Sequence, residues 1–278
     1  MNSLEYSGCP QCGAVSHHIE YDRFHPYMVV RCRLCKFHYL CPRLSESAIQ
    51  SSYKDNDYFY SHNYGYLDYS DQEAALRVTF RRLLKNLFAR NLTGGALLEV
   101  GCGFGFFLHE AAEYFDYRVG TDYSYLAVAE AGKYANKILH GGVDSLDRNE
   151  SFDLIVAIQV IEHVYRPKDF ILKLTGHLKK GGKLVLATPD MGSFWRKTLG
   201  HYWPSFKIPE HVSFYDRQSL KRTMEMCGLV DIQFLPYPHA FPISLILSKF
   251  TLNLSKKLTN HYLWLPKTTI AAFGNKNV

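Results

Sequence analysis

Two periods of apolar and polar positions run along this chain, and the switches between them place most of its elements. Residues 73–90 set Leu76, Phe80, Leu83, Leu84 and Leu87 at helical spacing, with Arg77, Arg81 and Lys85 in a stripe elsewhere, which predicts an amphipathic helix. The same period predicts helices over 104–115, over 124–135 behind an N-capping Ser124, over 167–178 with Pro167 in the first turn, and from Asp216 to Cys227 with Gly228 closing it. Short apolar runs alternate with these helices, such as YRVGTD, FDLIVAI and KLVLATP, ending in VDIQFLP and TTIAAF. Strands and helices in alternation predict an α/β, doubly wound, mostly parallel sheet. Residues 240–257, AFPISLILSKFTLNLSKK, are apolar with lysines gathered at the end. A helical insertion near 240–264 that covers a substrate cleft is the expectation, with peripheral contact to a bilayer as the other reading.

The most informative stretch is LLEVGCGFGFFL at 97–108. A strand ending in an acid runs into Gly101, Gly103 and Gly105, and apolar helical periodicity resumes behind them. A dinucleotide fold calls for G-x-G-x-x-G, and this chain has Phe106 at the third glycine's place. Glu99 would repel a pyrophosphate, whereas it suits a ligand carrying an ammonium group and a sulfonium, such as S-adenosylmethionine (SAM). Asp122 follows Gly101 by 21 residues at the end of the next apolar run, where a carboxylate can accept the ribose hydroxyls.

At the N-terminus Cys9-Pro-Gln-Cys12 and Cys32-Arg-Leu-Cys35 form two CxxC knuckles separated by 19 residues, the spacing of a zinc ribbon. Four thiolates closing one tetrahedron predict a structural Zn2+ with no open position for chemistry. A redox role for the pairs is the alternative, and such motifs normally come singly beside a βαβ unit. Residues 43–72 follow as a Tyr-rich connector, whose Tyr64, Tyr66 and Tyr69 read equally as a lid over the site or as rings on the domain surface.

Composition narrows the setting. The chain has 278 residues, 47% apolar and 21% charged, with a formal charge of +6. That allows one large domain and a small one, and the mild basicity does not by itself imply nucleic acid. No charged-then-apolar leader and no membrane-length apolar run stands out, and seven cysteines mostly in CxxC pairs suit a reducing compartment, so a cytoplasmic location is expected.

With these motifs in order, the chain resembles the class I SAM-dependent methyltransferases over roughly residues 73–275. The resemblance implies a Rossmann-like sheet of seven strands, one antiparallel near the edge, preceded by the ribbon at 1–42 and the connector at 43–72, with the methyltransferase domain at 73–278. It implies that Glu99, Gly101, Cys102, Gly103, Gly105, Asp122, Tyr123 and Gln159 hold SAM and that Asp144 binds it near the adenine amino group. Gln159, Glu162 and His163, in SFDLIVAIQVIEHV, fall at the mouth of the site. The order of ribbon, Pro-Arg-x-Ser, Tyr-rich segment and methyltransferase is similar to a bacterial group associated with sugars, polysaccharides and secondary metabolites.

Methyl transfer is an in-line displacement that needs the acceptor placed and, for a hydroxyl, its proton removed. His211 and His163 are the candidate catalytic groups, with Glu162 and histidines holding a divalent ion as a further reading. Trp195, Tyr202 and Trp203 read equally as acceptor-pocket wall or core. The expected function is methyl transfer to a small molecule or glycan precursor, at oxygen. The alternatives are an RNA or protein methyltransferase guided by the ribbon, kept open by the basic stripe of 77–85, and a non-catalytic binding module on the same fold. Against nucleic-acid bases, the fourth-strand segment has neither an Asn-Pro-Pro-Tyr-like set nor a Pro-Cys nucleophile.

Overall fold

The structure is a computed structural model and describes residues 4–49, 72–243, 245 and 261–277. Strands β1 (Leu4–Glu5), β2 (His18–Phe24), β3 (Tyr27–Cys32), β4 (His38–Leu40) and β5 (Arg43–Leu44) precede helix α1 (Glu73–Phe88). Then come β6 (Ala96–Val100), α2 (Phe106–Glu110), β7 (Tyr117–Asp122), α3 (Tyr125–Ala131), β8 (Lys137–His140), β9 (Phe152–Ile158), α4 (Pro167–Gly176) and β10 (Leu178–Pro189). The chain continues through α5 (Phe194–Leu199), β11 (Ser213–Phe214), α6 (Arg217–Met226), β12 (Leu229–Leu235), β13 (His239–Pro242), β14 (Tyr262–Leu265) and β15 (Thr269–Lys276).

Seven strands form the central sheet in the order β12-β15-β10-β9-β6-β7-β8. β15 is antiparallel to both its neighbours and the other strands share one direction, as the family resemblance implies. The order reverses between β6 and β9, and in doubly wound sheets ligands bind outside the carboxyl ends of the strands at such a point. α1 buries Phe80, Leu83, Leu84 and Leu87, each contributing roughly 1.5–3 kcal/mol of apolar burial. Its basic stripe is engaged within the fold: Arg77 Nε lies 2.5 Å and Arg81 Nε 3.4 Å from the Glu110 carboxylate. α6 starts on a capping box in which Asp216 accepts the Ser219 N–H and Ser219 Oγ accepts the Asp216 N–H.

The cysteine-bearing N-terminus is built into this body. β2, β3 and β4 form an antiparallel meander, and β11 from the far end of the chain adds to it through Ser213↔Tyr39 and Phe214↔His38. One core cluster contains Cys9, Val30, Phe37 and Tyr39 together with Ile155, Leu186 and Leu220. Gln11 Nε2 donates to Ser219 O and Thr223 Oγ1 on α6, at 2.9 and 2.8 Å.

One expectation is refined at this stage. The ends of the predicted helical insertion at 240–264 are strands, because β13 and β14 pair as a two-stranded sheet with His239 opposite Leu265 and Ala240 opposite Trp264. The alternating aromatic positions of HAFP and YLWL have the period of a strand, hidden in sequence by the apolar run between them. Residues 246–260, like the connector with Tyr64, Tyr66 and Tyr69, lie outside the described residues. Among the described residues no helix is long and apolar enough to cross a membrane.

Candidate active site

The glycine turn after β6 takes its shape from left-handed backbone. Gly101 has φ +72°, and a Cβ there would lie 2.5 Å from Val160 Cγ2. At Gly105, φ is +78° and a Cβ would lie 2.9 Å from the Ala131 backbone. Both positions therefore exclude a side chain for two separate reasons, torsion and space. Gly103 (φ +52°) sits between them and donates its N–H to Asp122 Oδ2 at 2.9 Å, while Asp122 Oδ1 accepts the Ser124 N–H at 2.9 Å. Asp122 thus ties the turn to the start of α3. Burial holds its carboxyl above the ordinary range against these two amides.

Glu99, at the end of β6, is buried, and its Oε2 has no hydrogen-bond partner. Burial, then the charge of Asp122, raises its carboxyl well above the usual value. An orphaned buried carboxylate oxygen beside a glycine cradle fits a cationic ligand that presents an ammonium group, and SAM meets that requirement. Cys102 is buried within the turn. Tyr123 is 43% exposed and its hydroxyl lies against Gly142. Asp144, expected near the adenine, is exposed, and its Oδ2 is paired with Lys173 Nζ at 2.7 Å.

β9 ends at a strained residue. Gln159 adopts φ +57°, uncommon for a residue with a side chain. Its N–H donates to Ala187 O at 2.8 Å and its Nε2 to Thr269 Oγ1 at 3.4 Å. The turn that follows carries Glu162 and His163, and the segment between α5 and β11 carries His211. The ligand atoms of Glu162, His163 and His211 all lie within 4.8 Å of one another. The two imidazoles meet edge to face with centroids 4.7 Å apart. His211 Nδ1 donates to Ser205 O at 2.8 Å, which leaves Nε2 as an acceptor, and His163 bonds the backbone of Glu210. Glu162 Oε2 accepts from Thr188 Oγ1 at 2.9 Å, whereas Oε1 is buried without a partner.

Burial sets the protonation here. It pushes the Glu162 carboxyl up to about 8 and, with the nearby Lys207 charge, pulls His163 down to about 3. His211 is driven well below its ordinary value by burial, then by His163 and Lys207. The set is two neutral histidines and a carboxyl that holds or releases one proton, suited to taking a proton from a ligand or to holding a cation.

Two residues here have no counterpart among the sequence expectations. Because β12 runs parallel to β9 and β10, its carboxyl end delivers Tyr237 and His239 to the same edge of the sheet. Asn86 Nδ2 of α1 donates to Pro236 O at 2.9 Å, and Ala240 N–H donates to Thr79 Oγ1 at 2.9 Å, so α1 straps the segment down. Tyr237 is buried, and burial with the Glu99 and Glu162 charges keeps its phenol protonated. His239 Nδ1 is buried without a partner, and burial pulls this histidine down to about 4. The only signal in sequence was their place just after the last parallel strand. Of the three aromatics read as wall or core, Trp203 is core, Tyr202 is 85% exposed and Trp195 donates to Pro266 O.

In the cysteine cluster, the four Sγ atoms of Cys9, Cys12, Cys32 and Cys35 lie within 4.8 Å of one another, with Cys9···Cys35 at 3.4 Å and Cys12···Cys32 at 3.6 Å. A tetrahedral ion with Zn–S bonds near 2.3 Å sets its sulfurs about 3.8 Å apart, and disulfide sulfurs lie about 2 Å apart. The donor set fits zinc.

A parallel sheet with one reversed strand, a glycine turn after its first parallel strand and an acid after the next define the class I SAM-dependent methyltransferase fold. The comparisons agree: residues 72–233 match the family described as Methyltransferase domain, and the chain belongs to that family. Over 105 residues it is 30% identical to the mitochondrial ubiquinone biosynthesis O-methyltransferase of Schizosaccharomyces pombe, a match covering 34% of this chain and 38% of that protein. Over 179 residues it is 27% identical to the ubiquinone biosynthesis O-methyltransferase of Rhodopseudomonas palustris strain BisB18, covering 57% of this chain and 69% of that one. Among solved structures, the magnesium protoporphyrin IX methyltransferase of Synechocystis PCC 6803 with bound SAH superposes at a TM-score of 0.54 and 12% identity, covering 84% of this chain and all of that one. A SAM-dependent methyltransferase of Thermotoga maritima gives 0.53 and 18%, covering 74% and 91%. At these identities the two structures speak for the fold alone.

Proposed function

We propose that this chain transfers a methyl group from SAM to a hydroxyl of a small molecule or glycan precursor. The observation that carries the reading is the convergence of Glu162, His163 and His211 at the strand edge that also bears Glu99 and the glycine turn. Bound there by Glu99, the Gly101–Gly105 turn and Asp122, SAM supplies an electrophilic methyl group. The chain's own work is to present a hydroxyl oxygen to it and to accept the proton at His211 Nε2 or at the Glu162 carboxylate. Tyr237 and His239 line the acceptor side. The named activity of the ubiquinone relatives supports oxygen as the acceptor atom.

A second reading concerns the same three groups. His211 bonds backbone through Nδ1, the arrangement of an oriented metal ligand, and Glu162 Oε1 lacks a partner. The three groups would hold a divalent cation, which would acidify an acceptor hydroxyl bound to it. The ribbon is read as structural Zn2+ at Cys9, Cys12, Cys32 and Cys35. The seven cysteines, mostly in CxxC pairs, are read as those of a protein of a reducing, cytoplasmic setting.

Calorimetric titration with SAM and with S-adenosylhomocysteine tests the cofactor. Both are expected to bind, and Asp122→Ala to weaken them by about tenfold or more through the lost ribose bonds. Undiminished affinity in that variant would remove Asp122 from the cofactor site.

A further inference from the structure

Three buried nitrogens on or against one face of the ribbon sheet have no hydrogen-bond partner. Arg31 on β3 stands directly opposite His38 on β4, and His38 stands directly opposite Phe214 on β11. Directly paired residues share a face of the sheet. On that face Tyr21 meets His38 at 4.4 Å between ring centroids, and the Arg196 guanidinium of α5 lies 4.8 Å from the Tyr21 ring and 5.0 Å from Phe206. Arg31 Nε, His38 Nε2 and Arg196 Nε are all buried with no hydrogen-bond partner.

Buried arginines ordinarily pair with a carboxylate. Arg196 is only 9% exposed, and among the described residues neither it nor Arg31 makes an ion pair. Nearby carboxylates are committed elsewhere. Asp216 accepts from Ser219 N–H and Oγ, both at 2.7 Å, and Asp22 pairs with His201 at 2.8 Å. His38 feels this imbalance: burial first, then Arg31, with Arg196 also adverse, pulls it down to about 4 against the single opposing charge of Asp216.

The patch adjoins the reaction site. Phe206, on which Arg196 rests, follows Ser205, whose carbonyl orients His211, and Val212 N–H donates to Glu162 O at 2.8 Å. We propose that Arg31, His38 and Arg196 form an anion subsite that takes a phosphate group carried by the methyl acceptor. Phosphate, rather than carboxylate, suits donors reaching from two strands and a helix, since a tetrahedral anion offers oxygens in several directions. The acceptor class becomes a phosphorylated small molecule, with its hydroxyl at His211 and its phosphate on the ribbon. This deepens, and rests on, the reading of the chain as a small-molecule methyltransferase.

The test is titration of the full chain, saturated with S-adenosylhomocysteine, with inorganic phosphate and separately with acetate, following the His38 ring by NMR. Phosphate is expected to bind saturably and to raise the His38 pKa. Arg196→Met is expected to weaken binding by about tenfold or more, and Arg31→Gln, at a half-buried position, by several-fold. A response that never saturates, acetate binding as tightly as phosphate, or unchanged affinity in Arg31→Gln overturns the subsite. S-adenosylhomocysteine affinity on the same samples separates the two readings. Phosphate binding without it keeps the subsite and removes the methyltransferase reading, and the reverse outcome removes the subsite alone.

Discussion

Glu162 carries an unusual amount of information for one side chain. Its carboxyl is buried, half of it bonds Thr188, and the other half faces two neutral imidazoles. With a folded-state value near 8 against 4.5 for the ordinary group, the native protein keeps a proton that the unfolded chain has released. The Glu162 contribution to the stability of the cation-free protein is therefore fully present below about pH 4.5 and is lost as pH rises through about 8. Glu162→Gln, which cannot titrate, is expected to flatten that decline and to lower turnover by about a hundredfold while sparing S-adenosylhomocysteine affinity. Denaturant melts across this pH range check the first part. Turnover at the wild-type rate would dismiss Glu162 from the chemistry. If a divalent ion binds here, adding it should flatten the wild-type decline too, because a bound cation replaces the proton.

At the scale of elements, the strap from Pro236 to Ala240 shows how a helix can serve a site it never enters. Thr79 and Asn86 lie two turns apart on α1 and hold the two ends of the segment by its backbone. Thr79→Val keeps the shape and removes the acceptor of the Ala240 N–H, at a cost of about 1–3 kcal/mol. Faster hydrogen exchange at Ala240 and reduced turnover are expected; unchanged exchange would show that the strap is held by something else. This device was not legible in the sequence, because its bonds join residues some 150 and 161 positions apart. The helix α1, the glycine turn and β6, β7, β9 and β10 were legible, since periodicity and positive-φ glycines are local properties. Legibility failed where local pattern and tertiary pairing differ. HAFP and YLWL were submerged in an apolar run. The strain at Gln159 also escaped, since nothing in its neighbours announces a positive φ.

For the whole molecule, the four cysteines and the three acidic and imidazole groups belong to one mechanical unit. β4 is bonded to β11, Leu40 N–H donates to Val212 O at 3.0 Å, and Val212 follows His211. Cys9→Ser combined with Cys12→Ser is expected to release one zinc per chain and to destabilise the fold by several kcal/mol. Turnover should fall as well, although none of the four thiols belongs to the methyl-transfer cluster. Metal analysis with thermal melts checks this, and full metal content in the double variant would refute the zinc reading.

The shared sheet also decides where this protein can be cut. A fragment starting at α1 would keep every group assigned to the cofactor and every member of the proton-accepting set, yet would leave β11 as an open edge. The apolar faces that Val30, Phe37 and Tyr39 now cover would be bare as well. Such a fragment is an aggregation-prone remnant, so for expression or fusion the smallest sound unit begins ahead of the first CxxC knuckle.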